Sequence, residues 1–172
     1  MTEKETIEQI IATKKSPRTF DDYTNYVFLV APLAFVAIGI SMILNYFKFD
    51  SGLPVLSVGI LLFSLGVGFA FFVLKRLSDN VTFTTVSSVA KEDIDKVAEK
   101  LRQQFKLRRV DVNKDLNRII AFTKTTAFSW GEQLTLIFDK DDILINSRPS
   151  GTRQPLTIIK DRQNIKKLEQ IL

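Results

Sequence analysis

The chain has 172 residues, with 24 Lys and Arg against 19 Asp and Glu, and it contains no cysteine and no histidine. Without cysteine there is no disulfide, thiol nucleophile or thiolate metal site, and without histidine the commonest general base and the commonest zinc and haem ligand are missing. The net charge of +5 comes from residues 75–172, where acidic residues are interspersed among the basic ones; this argues against nucleic acid and for weak attraction to an anionic leaflet.

Residues 1–25 form a polar arm. Thr2 and Glu5 have capping-box spacing, and Ile7, Ile10 and Ile11 make a narrow apolar stripe. A short amphipathic helix is expected, ending near Lys14, Lys15 and Ser16-Pro17. Alone it would be marginal in water, so it either frays or lies on the membrane surface, on the C-terminal domain or on a partner.

Two uncharged runs follow: Tyr26 to Phe47, 22 residues, and Ser51 to Leu74, 24 residues, closed by Lys75 and Arg76. At ~1.5 Å per residue each can cross a hydrocarbon core of ~30 Å. Residues 26–74 are therefore expected to form a transmembrane α-helical hairpin. Lys48, Phe49 and Asp50 connect the spans, with Gly52 at the turn and Pro54 at the first helical position. The polar residues ahead of the first run make it a retained signal-anchor rather than a cleaved signal. Lys14, Lys15 and Arg18 on one flank and Lys75 and Arg76 on the other, against Lys48 alone in the loop, place both termini in the cytoplasm. The Ile-, Lys-, Asn- and Phe-rich vocabulary fits a bacterial inner membrane. No charge lies within either span, so an ion pathway is not expected.

Small residues recur along both spans. Ala34, Ala37, Ser41 and Asn45 share one face of the first. Gly59, Gly66 and Ala70 form one stripe on the second, and Ser57, Ser64 and Gly68 another. Small residues permit close helix approach, and Asn or Ser can hydrogen-bond across an interface. One stripe serves the hairpin itself; the spare one is a candidate face for another membrane protein or a second copy.

Residues 80–172 read as a small α+β domain with an antiparallel sheet. The run 81–86 alternates as a strand. Ala90 to Phe105 follows with helical periodicity, Ser88 as its cap. Strands are expected over 109–112, 118–123, 133–138 and 143–147, then an apolar run from Leu156 to Ile159 and a last helix capped by Asp161. Hairpin-scale loops imply a meander with helices on one face. Lys75 to Asp79 is read as the linker from span to domain.

Arg148 and Arg153 flank a Ser/Gly/Thr loop which, with Lys75 and Arg76, could hold a phosphate or lipid head group. The loop lacks the Walker spacing. Lys106, Arg108 and Arg109 follow the first helix of the domain, where positive charge suits a helix C-terminus. Trp130, the single tryptophan, reads as a core plug ahead of an interaction hot spot. No GxSxG, supported SxxK or paired-carboxylate arrangement occurs, so no catalytic residue, metal or cofactor is expected. The expected function is a non-catalytic, membrane-anchored accessory or assembly subunit. The alternative is a binder of an anionic ligand or lipid head group at the cytoplasmic leaflet.

Overall fold

The computed structural model describes residues 1–49, 52–87, 93–125, 131–140, 142–150 and 160–172. The helices are α1 (Glu3–Thr13), α2 (Phe20–Thr24), α3 (Val30–Phe49), α4 (Leu53–Val81), α5 (Ile94–Gln104) and α6 (Lys160–Ile171). The strands are β1 (Thr84–Ser87), β2 (Leu107–Asn113), β3 (Arg118–Thr123), β4 (Glu132–Asp139) and β5 (Asp142–Pro149). They divide into two compact units, Phe20–Ser78 and Met1–Thr19 with Asp79–Leu172.

In the first unit, a 3₁₀ segment Asn25–Leu29 joins α2 to α3, so regular α-helix begins four residues later than the apolar run. The helical stretches Phe20–Phe49 and Leu53–Val81 are both long and apolar enough to cross a membrane, and only 11% of each apolar window is buried. A buried core helix would show the reverse. Gly52, at φ +84°, turns the chain into α4, and its carbonyl accepts the N–H of Val55 at 3.2 Å. Pro54 sits second in the helix, where its missing N–H has no intrahelical partner to lose.

The linker expected over Lys75 to Asp79 is not a linker. It is the last part of α4, which continues to Val81 because Lys-Arg-Leu-Ser-Asp-Asn holds no glycine or proline to end it. The first strand consequently starts late, at Thr84 rather than Val81.

The second unit is built on a five-stranded antiparallel sheet in the order β1-β5-β4-β3-β2. Strands β2 to β5 form the expected meander, and α5 carries the chain across the sheet from one edge strand to the other. Asp93 caps α5, its carboxylate accepting the N–H of Asp95 at 3.2 Å. Val97, Ala98 and Leu101 from α5 and Leu168 from α6 pack on Ile119, Ala121, Leu134, Leu136, Ile143 and Ile145. Each fully buried aliphatic contributes about 1.5–3 kcal/mol.

The helices do not keep to one face. Ile7 and Ile10 of α1 pack with Phe83, Ile137 and Leu144 on the other side of the sheet. The sheet is covered on two sides because β4 and β5 carry apolar residues at consecutive positions, Leu136-Ile137 and Ile143-Leu144-Ile145, instead of alternating them. Helix α6 begins at Lys160, which puts Asp161 in the first turn rather than at the cap. The expected cap Ser88, the start of the predicted helix at Ala90, the run Leu156 to Ile159 and Trp130 lie outside the described residues.

Candidate functional site

The hairpin sorts the small residues into two classes. Gly59 and Gly66 face α3: a Cβ at Gly59 would stand 3.0 Å from the Met42 Cβ, and one at Gly66 would stand 2.8 Å from the Pro32 carbonyl oxygen. Ala70 is half-buried beside them in the helical register. The closest approach in the hairpin is at Gly39, which belongs to none of the three small-residue stripes. A Cβ on Gly39 would lie 2.6 Å from the Phe63 nitrogen and 2.8 Å from the Gly59 oxygen, both backbone atoms. A lone glycine in the middle of a span was the signal for it. Ala34, Ala37, Ser41 and Asn45 lie outside this seam and are exposed, as are Ser57, Ser64 and Gly68; a Cβ on Gly68 would meet nothing within 4 Å.

The second unit ties both flanks of the hairpin together. The αL conformation of Lys14, φ 56°, ends α1 and turns the chain so that Lys15 forms an antiparallel bridge with Thr82. Phe83 donates its N–H to the Lys14 carbonyl at 2.8 Å, and Ser16 donates to the Val81 carbonyl at 2.8 Å. At the other end of α1, Glu3 accepts from the Arg118 guanidinium on β3, and the Thr2/Glu5 capping box forms as expected.

Strand register defines two ends of the sheet. The turns after Asn113 and Asp139 mark one; Leu107, Thr123, Glu132 and Pro149 mark the other. The Asn80 carbonyl accepts from the Asn146 amide, midway along β5, at 3.2 Å, while the same amide donates to the Thr82 carbonyl at 2.7 Å. The second end is basic. The Lys124 N–H donates to the Lys106 carbonyl at 2.8 Å, setting two exposed lysines side by side. Arg108 lies over the Phe122 ring at 6.0 Å, Arg109 pairs with Asp111 at 2.8 Å, and Lys167 caps the C-terminus of α5 through the Gln104 carbonyl. The turn end is mixed, with Asp93, Asp115, Asp139 and Asp142 beside Lys114, Arg118 and Lys140. There Lys114 pairs with Asp95; that hydrogen bond and the Asp95 charge hold the ammonium above its ordinary pKa.

A cleft of about 350 Å³ opens between β1, β5 and α6. Asn146 and Ser147 form its floor, with Arg162 and Lys166 opposed by Asp79 and Glu169 on its walls. Arg162 and Asp79 stand 3.8 Å apart. The balanced charges give no preference for an anion.

The four cations of the head-group reading are placed as follows. Lys75 is exposed. Arg76 is buried, its guanidinium over the Phe72 ring at 5.6 Å. Arg148 is half-buried and donates to the Gln133 side chain at 3.4 Å, and Arg153 lies outside the described residues. Of that arginine-flanked loop, residues 151–153 lie outside the described residues. Lys106, Arg108 and Arg109, read from the sequence as helix-end charges, lie beside Lys124, because the start of β2 and the end of β3 coincide, which sequence spacing does not reveal. No family model matches this chain, and neither a curated protein nor a solved structure matches it.

Proposed function

We propose that this protein is a non-catalytic, membrane-anchored interaction subunit. Its hairpin spans the bacterial inner membrane with both flanks in the cytoplasm, and the outer faces of the hairpin bind another membrane protein or a second copy. The observation that carries the reading is the sorting of small residues. Gly39, Gly59 and Gly66 are used up by the seam, whereas Ser41, Ser57, Ser64 and Gly68 lie outside it on exposed faces. In lipid, hydroxyls and small side chains on outer faces favour helix association through close packing and interhelical hydrogen bonds. The bridge between Lys15 and Thr82 supports an even number of crossings, since it binds both flanks into one folded unit.

The test is purification in mild detergent with mass spectrometry of the co-purifying chains, on the wild type and on Gly68→Leu. A stoichiometric membrane partner lost in Gly68→Leu, with the hairpin still folded, is the expected result. Identical co-purification in both, or a chain that runs alone, would remove the interaction reading.

A further inference from the structure

We propose that the outer edge of β2 takes an extended acidic polypeptide segment as an added strand, held by backbone hydrogen bonds and by Lys106, Arg108 and Lys124. The surface belongs to the sheet unit alone, so the inference goes beyond the hairpin reading and does not depend on it.

Three observations lead to it. The first is the edge itself. The order β1-β5-β4-β3-β2 leaves two edges, and β2, with 7 residues, is longer than β1, with 4. Among the described residues β2 pairs with β3 alone, so alternate residues of β2 direct their N–H and carbonyl groups away from the sheet. The second is what backs the edge. Val110 and Val112 pack against the core cluster that holds Val97, Ala98 and Leu101 of α5, so β2 is kept extended before any partner arrives. Arg109 and Asp111 alternate with these valines onto the other face, where they pair with each other at 2.8 Å. The third is charge. Lys106, Arg108 and Lys124 are exposed where β2 starts and β3 ends, and among the described residues none of them belongs to an ion pair.

The cations select the occupant. Opposite charges on neighbouring strands attract and like charges repel, so this edge deters a basic strand and favours one with carboxylates facing positions 106 to 108. Basic side chains and a bulge, here the register shift between Leu107 and Arg109, are the means by which an exposed edge turns away indiscriminate pairing. They leave Arg109 to Asn113 in unbroken register with β3, and that stretch is open to a strand of the right charge. A lipid or a nucleic acid meets the charge but does not supply the alternating donors and acceptors that a strand edge requires. An extended acidic peptide supplies both.

The experiment uses the full chain in uncharged detergent micelles and three fluorescently labelled synthetic peptides. One alternates valine with glutamate, one alternates valine with lysine, and the third is the valine–glutamate peptide with its backbone nitrogens methylated, which keeps the charge but removes the strand's donors. Fluorescence anisotropy is expected to show the first peptide binding at least about tenfold more tightly than either of the others, and K106Q/R108Q/K124Q to weaken that binding about tenfold. Amide hydrogen exchange should show protection gained in β2 and none in β1. Absence of binding by the valine–glutamate peptide overturns the proposal without requiring any variant to fold. Equal binding of the methylated peptide also overturns it, since charge would then act without strand pairing. A dimer of the chain whose β2 amides are already protected before peptide is added would make a second copy the occupant, and the acidic segment would be ruled out.

Discussion

The carbonyl of Lys14 accepts the backbone N–H of Phe83 across a gap of 69 residues in sequence and 2.8 Å in space. Between those residues lies the whole apolar hairpin, so the segment that enters it and the segment that leaves it are zipped together as a short antiparallel ladder. The N-terminal arm is thereby a structural part of the sheet unit. Its two buried isoleucines complete the second face of the sheet, and Glu3 fixes its far end to Arg118.

Ile10 is 6% exposed, and Ile10→Ala should lower the stability of the sheet unit by about 2–4 kcal/mol, the usual cost of emptying a buried isoleucine site. Amide hydrogen exchange on the full chain reads this directly, because the Phe83 and Ser16 amides bonded by the ladder should lose protection first. A frayed arm would leave exchange at Phe83 unchanged.

Within the hairpin, Gly39→Ala should weaken the packing of α3 on α4 by about 1–3 kcal/mol, since the added methyl meets backbone rather than a side chain able to turn aside. Gly68→Ala should leave the hairpin unchanged, because its Cβ enters open space. Denaturation of the two variants in detergent micelles measures the difference. Equal effects would contradict the seam.

Much of this was legible in the sequence, and the omissions have particular causes. The two long apolar helices were readable because an uncharged run of 22 or 24 residues has few structural solutions, and β3 because Arg118 to Thr123 is bounded by turn residues on its N-terminal side. The capping box announced α1, but where α1 docks depends on Ile137 and Leu144, residues more than a hundred positions away that no local pattern connects to it. The non-alternating run Leu134 to Phe138 was the available sign that the sheet is covered on both sides. Small size at helical spacing identifies a face without saying what lies opposite, and Ala34, Ala37, Ser41 and Asn45 form an exposed face of α3. Within the chain it is Gly39 and Pro32 that meet α4. The basic end was invisible for a related reason: Lys106 and Lys124 become neighbours only through strand register.

The pairing of Lys114 with Asp95 carries a pH dependence whose sign is fixed. The ammonium is held above its ordinary value of 10.5 by that partner, so its contribution to stability is complete below about pH 10.5 and is lost as the pH rises through the folded-state pKa. The difference in unfolding free energy between wild type and Lys114→Met should therefore be constant across neutral and mildly alkaline pH and shrink only in strong alkali. A difference that already narrows near neutrality would show that Lys114 does not keep Asp95 as its partner.

Single-cysteine accessibility in sealed membrane vesicles of defined orientation tests whether the apolar segment is a membrane hairpin with both flanks on the cytoplasmic side. Three positions suffice: Glu8→Cys on α1, Leu53→Cys at the start of α4 and Asp115→Cys in the turn after β2, all exposed. The expected result is that a membrane-impermeant maleimide labels positions 8 and 115 from the cytoplasmic side only and position 53 from the opposite side only. Labelling of all three from one side, or of positions 8 and 115 from opposite sides, would rule out the membrane hairpin with both flanks in the cytoplasm.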